Sequence, residues 1–413
     1  MTGALPALTA GAAVGLQEGV AATRIEVDGW SLAAFLGYLV VLVAIGAYST
    51  RFSSEGISEF FVGGRKMNRF VVALSAVVSG RSAWLLLGVT GMAYATGASA
   101  LWAVTGYTVA EFFLFFYFAG RLRRFSDRYD CITIPDFFAA RFGDDDGRLR
   151  AILALILLVF MVSYVSAQFV GGGKAIGASF GLGHTAGVLL TAGIVVLYTT
   201  MAGGFLAVSL TDTLQAFLML FALLGLPLVA IPAAGGWGAV RAELAAYQPG
   251  FVDPLNLGFG AFLGMVGIGL GSPGNPHIIV RYMSIDDADQ LRWAAGVGTT
   301  WNVLMGAGAV LIGLAGRVFV PETSMLPGAD TENLFPVLAR MHLHPALFGV
   351  VAAPIFAAIM STADSQLLVA ASSVVRDVYQ SVLRRDREVS ERRLVILSRS
   401  IVAILVGAAL VMG

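Results

Sequence analysis

Charged side chains are scarce in this sequence of 413 residues. They make up 13% of it, whereas 57% of the residues are hydrophobic and the mean hydropathy is +0.82. Because soluble domains carry roughly 25% charged residues, so few charges cannot cover a water-facing surface. The composition excludes an ordinary soluble domain and indicates a protein that crosses the membrane several times. The formal net charge is zero, and nothing in it indicates a nucleic-acid partner.

Cysteine and catalytic motifs are also lacking. Cys131 is the single cysteine, which excludes an intramolecular disulfide and a cysteine-bound metal cluster. The run GGGK at 171–174 lacks the spacing of a phosphate-binding loop. We find no nucleophile–base pairing and no zinc-protease motif, so we predict neither an enzyme nor a cofactor. Residues 1–30 lack the basic stretch of a signal peptide, and we expect them to form a weakly apolar extracytoplasmic leader.

Long apolar runs dominate what is present. A helix needs about 20 apolar residues to cross a bilayer, and only helices or closed barrels satisfy their backbone groups there. The runs are too long and too uniformly apolar for barrel strands, so we predict an all-α integral membrane protein. The ten predicted spans lie at about 31–49, 70–95, 98–119, 149–172, 186–202, 206–232, 257–280, 294–316, 346–372 and 397–412.

The positions of Lys and Arg predict the orientation. With the N-terminus outside, the inner loops hold 20 of the 26 basic residues, the outer segments hold five, and Arg81 lies within a span. The inner loops in this count are 50–69, 120–150, 203–205, 281–293 and 373–396, with Arg399 added. We therefore expect the N-terminus outside.

Two spans are interrupted by residues that do not continue a helix. Ser79-Gly80-Arg81-Ser82 interrupts the second span, and GSPGNPH at 271–277 interrupts the seventh. Irregular backbone at membrane depth is tolerated where it is buried in protein or lines a cavity, and paired breaks in two halves indicate a transporter site. Breaks five spans apart predict a five-plus-five inverted-repeat core after one extra N-terminal helix.

These repeats define the predicted domain organisation. A single transmembrane domain covers 31–412, with a first repeat at about 70–232 and a second at about 257–412. The second repeat supplies four helices before Gly413. We therefore expect the chain to be truncated before the last core helix.

A polar cluster interrupts the ninth span, where Ser361, Thr362, Asp364, Ser365 and Gln366 follow an apolar run. On a helix, the small and hydroxyl residues Ala358, Ser361, Thr362 and Ser365 lie on one stripe. Their hydroxyls, with carbonyls freed in a broken helix, form a neutral oxygen set that suits Na⁺. The alternative is that each hydroxyl bonds back to its own helix. For Ser361 with Thr362 we favour ion ligation.

Charges within spans need a partner or a function, because an unpaired one costs roughly 2.5–3.5 kcal/mol at a helix centre. Asp212 is either a helix-start residue at the inner interface or a carboxylate on the inward cation path. Asp364 accepts a hydrogen bond from Ser361 or Ser365, pairs with Arg81, or stays protonated. The predicted partners of Arg81 are Asp364 and Asp212. His277 is expected to be a structural hydrogen-bonder.

Six segments resemble the sodium/solute symporter family, and within it the bacterial proline carriers. They are SEFFVGGR (58–65), ALSAVVSGRSAWLLLG (73–88), GRLRRFSDRYDCITIPDFFAARF (120–142), GGFLAVSLTDTLQA (203–216), GNPHIIVRYM (274–283) and AAIMSTADSQLLVAASS (357–373). The likeness runs in order from about residue 31 to 412. It implies symport of one Na⁺ with a small organic solute, with proline or a related amino acid favoured.

The resemblance also implies site residues. The sodium site would use the backbone carbonyls of Val78, Arg81 and Ala358 and the hydroxyls of Ser361 and Thr362. Asp212 matches an acidic position used in sodium-dependent transport, and Asp364 joins it on the expected ion pathway. The expected substrate-binding residues are Ser82, Trp84, Tyr164, Ile268 and Ser272. The proline carriers have Asp and Met in place of Gly80 and Arg81, and Trp and Tyr in place of Ile268 and Ser272.

We therefore predict a symporter of the bacterial inner membrane whose partners are Na⁺, a small solute and lipid. The alternatives are a proton-coupled carrier in which Asp364 or Asp212 titrates, a carrier of a sugar, carboxylate or vitamin, and a transport-inactive membrane sensor. Uptake with and without Na⁺ at fixed pH separates sodium from proton coupling.

Overall fold

The computed structural model describes residues 28–49, 56–201, 204–383 and 389–413. Almost all of the predicted leader at 1–30 lies outside these residues. The described chain is helical, and its extended pairing is limited to one isolated parallel bridge between Met67 and Ile285. The prediction of an all-α protein is confirmed.

Seventeen α-helices make up the described chain. The first ten are α1 (Gly29–Ser49), α2 (Ile57–Val62), α3 (Arg69–Ser79), α4 (Thr90–Thr96), α5 (Leu101–Phe113), α6 (Ala119–Arg128), α7 (Ile134–Phe142), α8 (Arg148–Phe180), α9 (His184–Met201) and α10 (Phe205–Ala233). The others are α11 (Trp237–Tyr247), α12 (Phe259–Gly267), α13 (Pro276–Ser284), α14 (Leu291–Phe319), α15 (Leu334–His342), α16 (Pro345–Ser372) and α17 (Glu391–Met412).

Seven helical stretches of the described chain are long and apolar enough to cross a membrane. They are Gly29–Tyr48, Trp84–Arg128, Arg148–Phe180, Phe205–Ala233, Ala288–Phe319, Pro345–Leu383 and Glu391–Met412. The second stretch, Trp84–Arg128, turns at Gly97, whose φ is 72°, and it therefore covers parts of two predicted spans. Three shorter apolar helices, Arg69–Ser79, His184–Thr199 and Phe259–Gly274, lie in the remaining ones. Each of the ten predicted spans thus overlaps one of these seven stretches or one of the three shorter helices.

The two predicted breaks are both present. Helix α3 ends at Ser79, and Ser82 adopts a left-handed backbone with φ of 51° before the chain resumes as a π-helical turn at Trp84–Val89. In the second break, the 3₁₀ segment Ile268–Gly274 leads to an extended Asn275, and Pro276 begins α13. Proline fits the first turn of a helix because it has no N–H to satisfy there.

Helix α16 occupies the centre of the bundle. Each of its residues from Val351 to Ser372 is buried, and it packs against α1, α8, α10 and α17. The helix that carries the polar cluster is therefore surrounded by protein, and this explains why its polar side chains are tolerated.

Glycine allows the second break to pack closely on α5. A Cβ added to Gly106 would overlap the carbonyl of Val266, and one added to Gly269 would overlap the carbonyl of Gly106. Small residues let membrane helices approach backbone to backbone. This contact fixes the position of the second break relative to α5.

Candidate functional site

The polar cluster of α16 lies against the first break. The Thr362 hydroxyl donates a hydrogen bond of 2.9 Å to the carbonyl of Ser79, the last residue of α3. The Ser361 hydroxyl donates to the carbonyl of Ala358 at 3.1 Å, so it makes a back-bond within its own helix. Both side chains are fully buried. The structure therefore brings the Thr362 hydroxyl to the broken helix, while the Ser361 hydroxyl bonds back to its own helix.

The predicted carbonyl ligands also lie in this buried region. Arg81 N–H donates to Val78 O at 3.0 Å, and Leu85 N–H donates to Arg81 O at 3.2 Å. A carbonyl oxygen has two lone pairs, so each can still accept a second partner. Carbonyl and hydroxyl oxygens are ligands of hard cations. These carbonyl and hydroxyl oxygens thus fit a small monovalent cation as ligands.

Asp212 is at the centre of a buried hydrogen-bond cluster on α10. Its Oδ2 accepts from Ser75 Oγ at 2.6 Å, from Ser79 Oγ at 3.0 Å and from Arg281 Nη2 at 2.9 Å. Asp212 is fully buried and lies two turns into α10, which begins at Phe205, so it is not a helix-start residue. The prediction that Arg281 belongs to an inner loop is also wrong, because it is buried on α13.

Ser365 connects this cluster to the sodium-site hydroxyls. Its Oγ donates to the carbonyl of Ser361 at 2.6 Å and accepts from Arg281 Nη2 at 2.5 Å. The neighbouring Asp364 is fully buried, and its Oδ1 lies 3.3 Å from Ser365 Oγ. Asp364 Oδ2 has no hydrogen-bond partner among the described residues. The carboxylates of Asp364 and Asp212 thus have very different environments.

Arg81 pairs with an acid that sequence reasoning missed. Its guanidinium forms a buried ion pair with Glu111, and its Nε donates to Asn302 Oδ1 at 2.8 Å. Asn302 also donates to Glu111 at 2.8 Å, and the guanidinium lies 3.9 Å from the centroid of the Tyr107 ring. The predicted partners Asp364 and Asp212 are therefore wrong. A signal was available, because Glu111 is a carboxylate inside the predicted third span.

The predicted substrate-binding residues separate into two groups. At the first break, Ser82 Oγ accepts from Trp84 N–H at 3.2 Å, and the Trp84 ring packs edge-on against Tyr107. Beyond the second break, the half-buried Tyr164 meets the His277 ring edge-on with centroids 6.2 Å apart.

The residues within the second break differ in burial. Ser272 is buried, but Ile268 is 40% exposed and lies at the surface of the helical bundle. Neither ring nitrogen of His277 has a close hydrogen-bond partner among the described side chains and backbone, and the Ser79 backbone is the polar group with which it interacts. The structural role expected for His277 stays a prediction.

A cavity of about 820 Å³ reaches the second break. Pro273, Pro276 and Tyr282 line it on one side, and aromatic residues of α6 and α7, including Phe125 and Phe137, line it on the other. Its walls are mostly apolar. The second break is therefore open to a space large enough for a small organic molecule.

The sequence is similar to those of known proteins. The model of the sodium:solute symporter family matches residues 60–413. The sodium/proline symporters of Staphylococcus aureus strains JH9 and NCTC 8325 are each 40% identical over 355 residues, which is 85% of this chain and 68% of the relative.

Two solved structures share the fold. A Na⁺-coupled sialic acid symporter in a substrate-bound outward-open state superposes with a TM-score of 0.81 and 17% identity, over 94% of this chain and 82% of the other. MhsT in complex with L-phenylalanine gives a TM-score of 0.57 and 12% identity, over 84% and 81% of the two chains. The chain is a multi-pass membrane protein and not an enzyme, Na⁺ is its coupling ion, and it belongs to the sodium:solute symporter family.

Proposed function

We propose that this symporter takes up proline or a related amino acid across a bacterial inner membrane, with its N-terminus outside. The observation that carries the proposal is the contact between the Thr362 hydroxyl and the Ser79 carbonyl at the first break. It joins α16 to the end of α3, which is where an ion could stabilise one arrangement of the two helices. The relatives that are 40% identical are named sodium/proline symporters, which favours proline as the solute.

The proposed sodium site uses the carbonyls of Val78, Arg81 and Ala358 with the hydroxyls of Ser361 and Thr362. On ion binding, a lone pair of the Ser361 hydroxyl oxygen coordinates the cation. The hydroxyl keeps its hydrogen bond to the Ala358 carbonyl. The ion then links α3 to α16 and stabilises an outward-open state. Asp212 and Asp364 lie beside this site and form the proposed ion pathway.

The proposed solute site lies in the gap between the breaks. Ser82 supplies a polar group, and the rings of Trp84 and Tyr164 supply apolar surface for an aliphatic side chain or ring. Ser272 contributes from the second break. The exposure of Ile268 makes it the weakest member of the set, and we assign it to the rim.

The proposed movement follows from two inverted repeats at about 70–232 and 257–412 within a single domain. The breaks lie in the first helix of each repeat. Rocking of the repeats about the fixed site would expose solute and ion to alternate sides. One charge that moves through 100 mV contributes about 2.3 kcal/mol, and at about 1.4 kcal/mol per tenfold this supports an accumulation of about 50-fold.

Radiolabelled proline uptake into proteoliposomes, with Na⁺ or choline outside, tests the proposal. We expect Na⁺-driven uptake by the native chain. In Ser361→Ala/Thr362→Ala, the Na⁺ concentration for half-maximal uptake should rise about tenfold, which corresponds to a loss of about 1.4 kcal/mol of Na⁺ binding free energy. Thr105→Ala/Ser400→Ala is the matched control, because both hydroxyls are exposed and bond back to their own helices.

Three outcomes separate the parts of the proposal. Uptake that ignores Na⁺ contradicts the sodium site. Normal Na⁺ dependence in the double variant contradicts the assigned hydroxyls. Na⁺-driven uptake of a sugar, carboxylate or vitamin, without proline uptake, contradicts the solute alone.

A further inference from the structure

Arg281 joins the helix after the second break to three other helices. Its Nε donates to Ser75 Oγ of α3 at 2.7 Å, and its Nη2 donates to Asp212 of α10 at 2.9 Å and to Ser365 Oγ of α16 at 2.5 Å. It also donates to the carbonyl of His277 in its own helix. The side chain is 1% exposed. One guanidinium therefore contacts four helices.

Two of these partners, Ser365 and Asp212, connect to the proposed ion site. Ser365 donates to the carbonyl of Ser361, and Ser79, which also bonds to Asp212, accepts from Thr362. Movement of α13 that displaces Arg281 therefore changes the surroundings of both hydroxyls. This is a direct physical connection between the second break and the ion-binding helix.

The charge of Arg281 also controls what can approach Asp212. A guanidinium remains protonated at any physiological pH, so it holds a permanent positive charge against the Asp212 carboxylate. A cation that passes this point meets a neutralised carboxylate and a repelling guanidinium. When the guanidinium leaves, the carboxylate becomes attractive to a cation.

A small cavity lies beside this contact. It has a volume of about 10 Å³ and is lined by Arg281 and Ser365, together with Phe205, Leu368 and Ser372. This volume is near the lower limit for a single water molecule. The side of the cluster lined by α10, α13 and α16 is thus closed to a hydrated ion while Arg281 keeps its contacts.

We propose that Arg281 is a positioning residue that closes the inward ion path and couples it to the solute. When solute moves α13, the guanidinium leaves Asp212 and Ser365, and the ion passes inward along the carboxylate. This inference rests on the proposed function, because it takes Ser361 and Thr362 as the ion site. The planar guanidinium fork of Arg281 reaches acceptors on three other helices at once, which the compact ammonium of lysine does not do.

The test uses two measurements that need no solute. The first is efflux of radioactive Na⁺ from proteoliposomes without solute. The second is labelling of Ser372→Cys in a Cys131→Ser background by a membrane-impermeant thiol reagent, applied to inside-out vesicles. The background is simple, because Cys131 is the single cysteine. Arg281→Lys and Arg281→Gln are compared with Arg399→Gln, which removes an exposed positive charge from α17.

We expect both Arg281 variants to raise Na⁺ efflux and Ser372→Cys labelling by about tenfold. This corresponds to a change of about 1.4 kcal/mol in the equilibrium between the closed and open ion path. Arg399→Gln should change neither measurement. If Arg281→Gln does not fold, Arg281→Lys decides, because it keeps the charge and loses the fork. If Arg281→Lys shows the same Na⁺ efflux and the same Ser372→Cys labelling as the native chain, the inference is overturned. A native chain without Na⁺-driven uptake would instead count against the proposed function, since neither measurement depends on solute.

Discussion

Arg281 and Asp212, 69 positions apart in the chain, form an ion pair that is buried on both sides, with 2.9 Å between Nη2 and Oδ2. Two buried charges are stable only as a pair with further hydrogen bonds, which Ser75 and Ser79 provide. Removal of one partner leaves an uncompensated charge in a dry site.

The first prediction concerns the stability of this pair. Asp212→Asn should lower the free energy of unfolding by about 3–5 kcal/mol, because it leaves the guanidinium unpaired. Asp212→Asn/Arg281→Met should recover a large part of this loss, because no charge remains. Thermal unfolding in detergent measures both variants. Equal losses in the single and double variants would show that the charges do not depend on each other.

The second prediction concerns the break at Gly80. A Cβ added there would lie 2.8 Å from Ile278 Cδ1 and 3.4 Å from Glu111 Oε1. Gly80→Asp, which introduces the residue of the proline carriers, should therefore place two carboxylates together and destabilise the protein by about 1–3 kcal/mol. Glu111→Gln in the same chain should relieve this repulsion. Its control is Gly80→Asn, which has the same shape without the charge, and an equal loss in Gly80→Asn would contradict an electrostatic cause.

The third prediction concerns the ion pairs of Lys174, the last residue of the GGGK run. Lys174 Nζ lies 2.9 Å from Asp330 and 2.6 Å from Glu332, and this ties the loop before α15 to α8. Partial burial raises the pKa of Asp330, but hydrogen bonds from Lys174 and from the Glu332 N–H lower it by more, so the pKa lies below its ordinary value. The stabilisation is therefore present above the ordinary pKa of about 3.9 and is lost as the pH falls through the lowered pKa.

Hydrogen exchange of residues 330–333, corrected for intrinsic rates, measures this effect. We expect protection at pH 5 to exceed protection at pH 3 in the native chain. Lys174→Gln should remove most of the difference, because its amide has no charge to hold the carboxylate ionised. A difference of the same size in Lys174→Gln would assign the pH dependence to another group.

The fourth prediction concerns the close packing of α5 on the second break. Gly106→Ala should destabilise the protein by about 1–3 kcal/mol, because its Cβ would overlap the Val266 carbonyl. Gly267→Ala is the control, because nothing lies within 4 Å of the Cβ it would add. The midpoint of thermal unfolding should fall in the first variant and stay near the native value in the second. Equal midpoints would mean that the two backbones separate without cost.

Features that depend on local chemistry could be read from the chain alone. The apolar runs predicted helices, the Gly and Pro residues predicted both breaks, and the spacing of Ser361 and Thr362 predicted that the two share a face. Each of these properties involves residues within one or two helical turns. Hydropathy could not determine which stretches are full spans, because a broken helix and a turn at Gly97 contain apolar residues like those of a continuous one.

The partners of the buried charges were decided only by tertiary structure. Arg81 was expected to meet Asp364 or Asp212, but packing of α5 and α14 around the first break brings Glu111 and Asn302 to it. Arg281 looked like a loop residue, and its burial became evident only once α13 lay against α3 and α16. The physical reason is that a buried charge takes whichever opposite charge the helix packing brings within a few ångströms, and sequence distance carries no information about that packing.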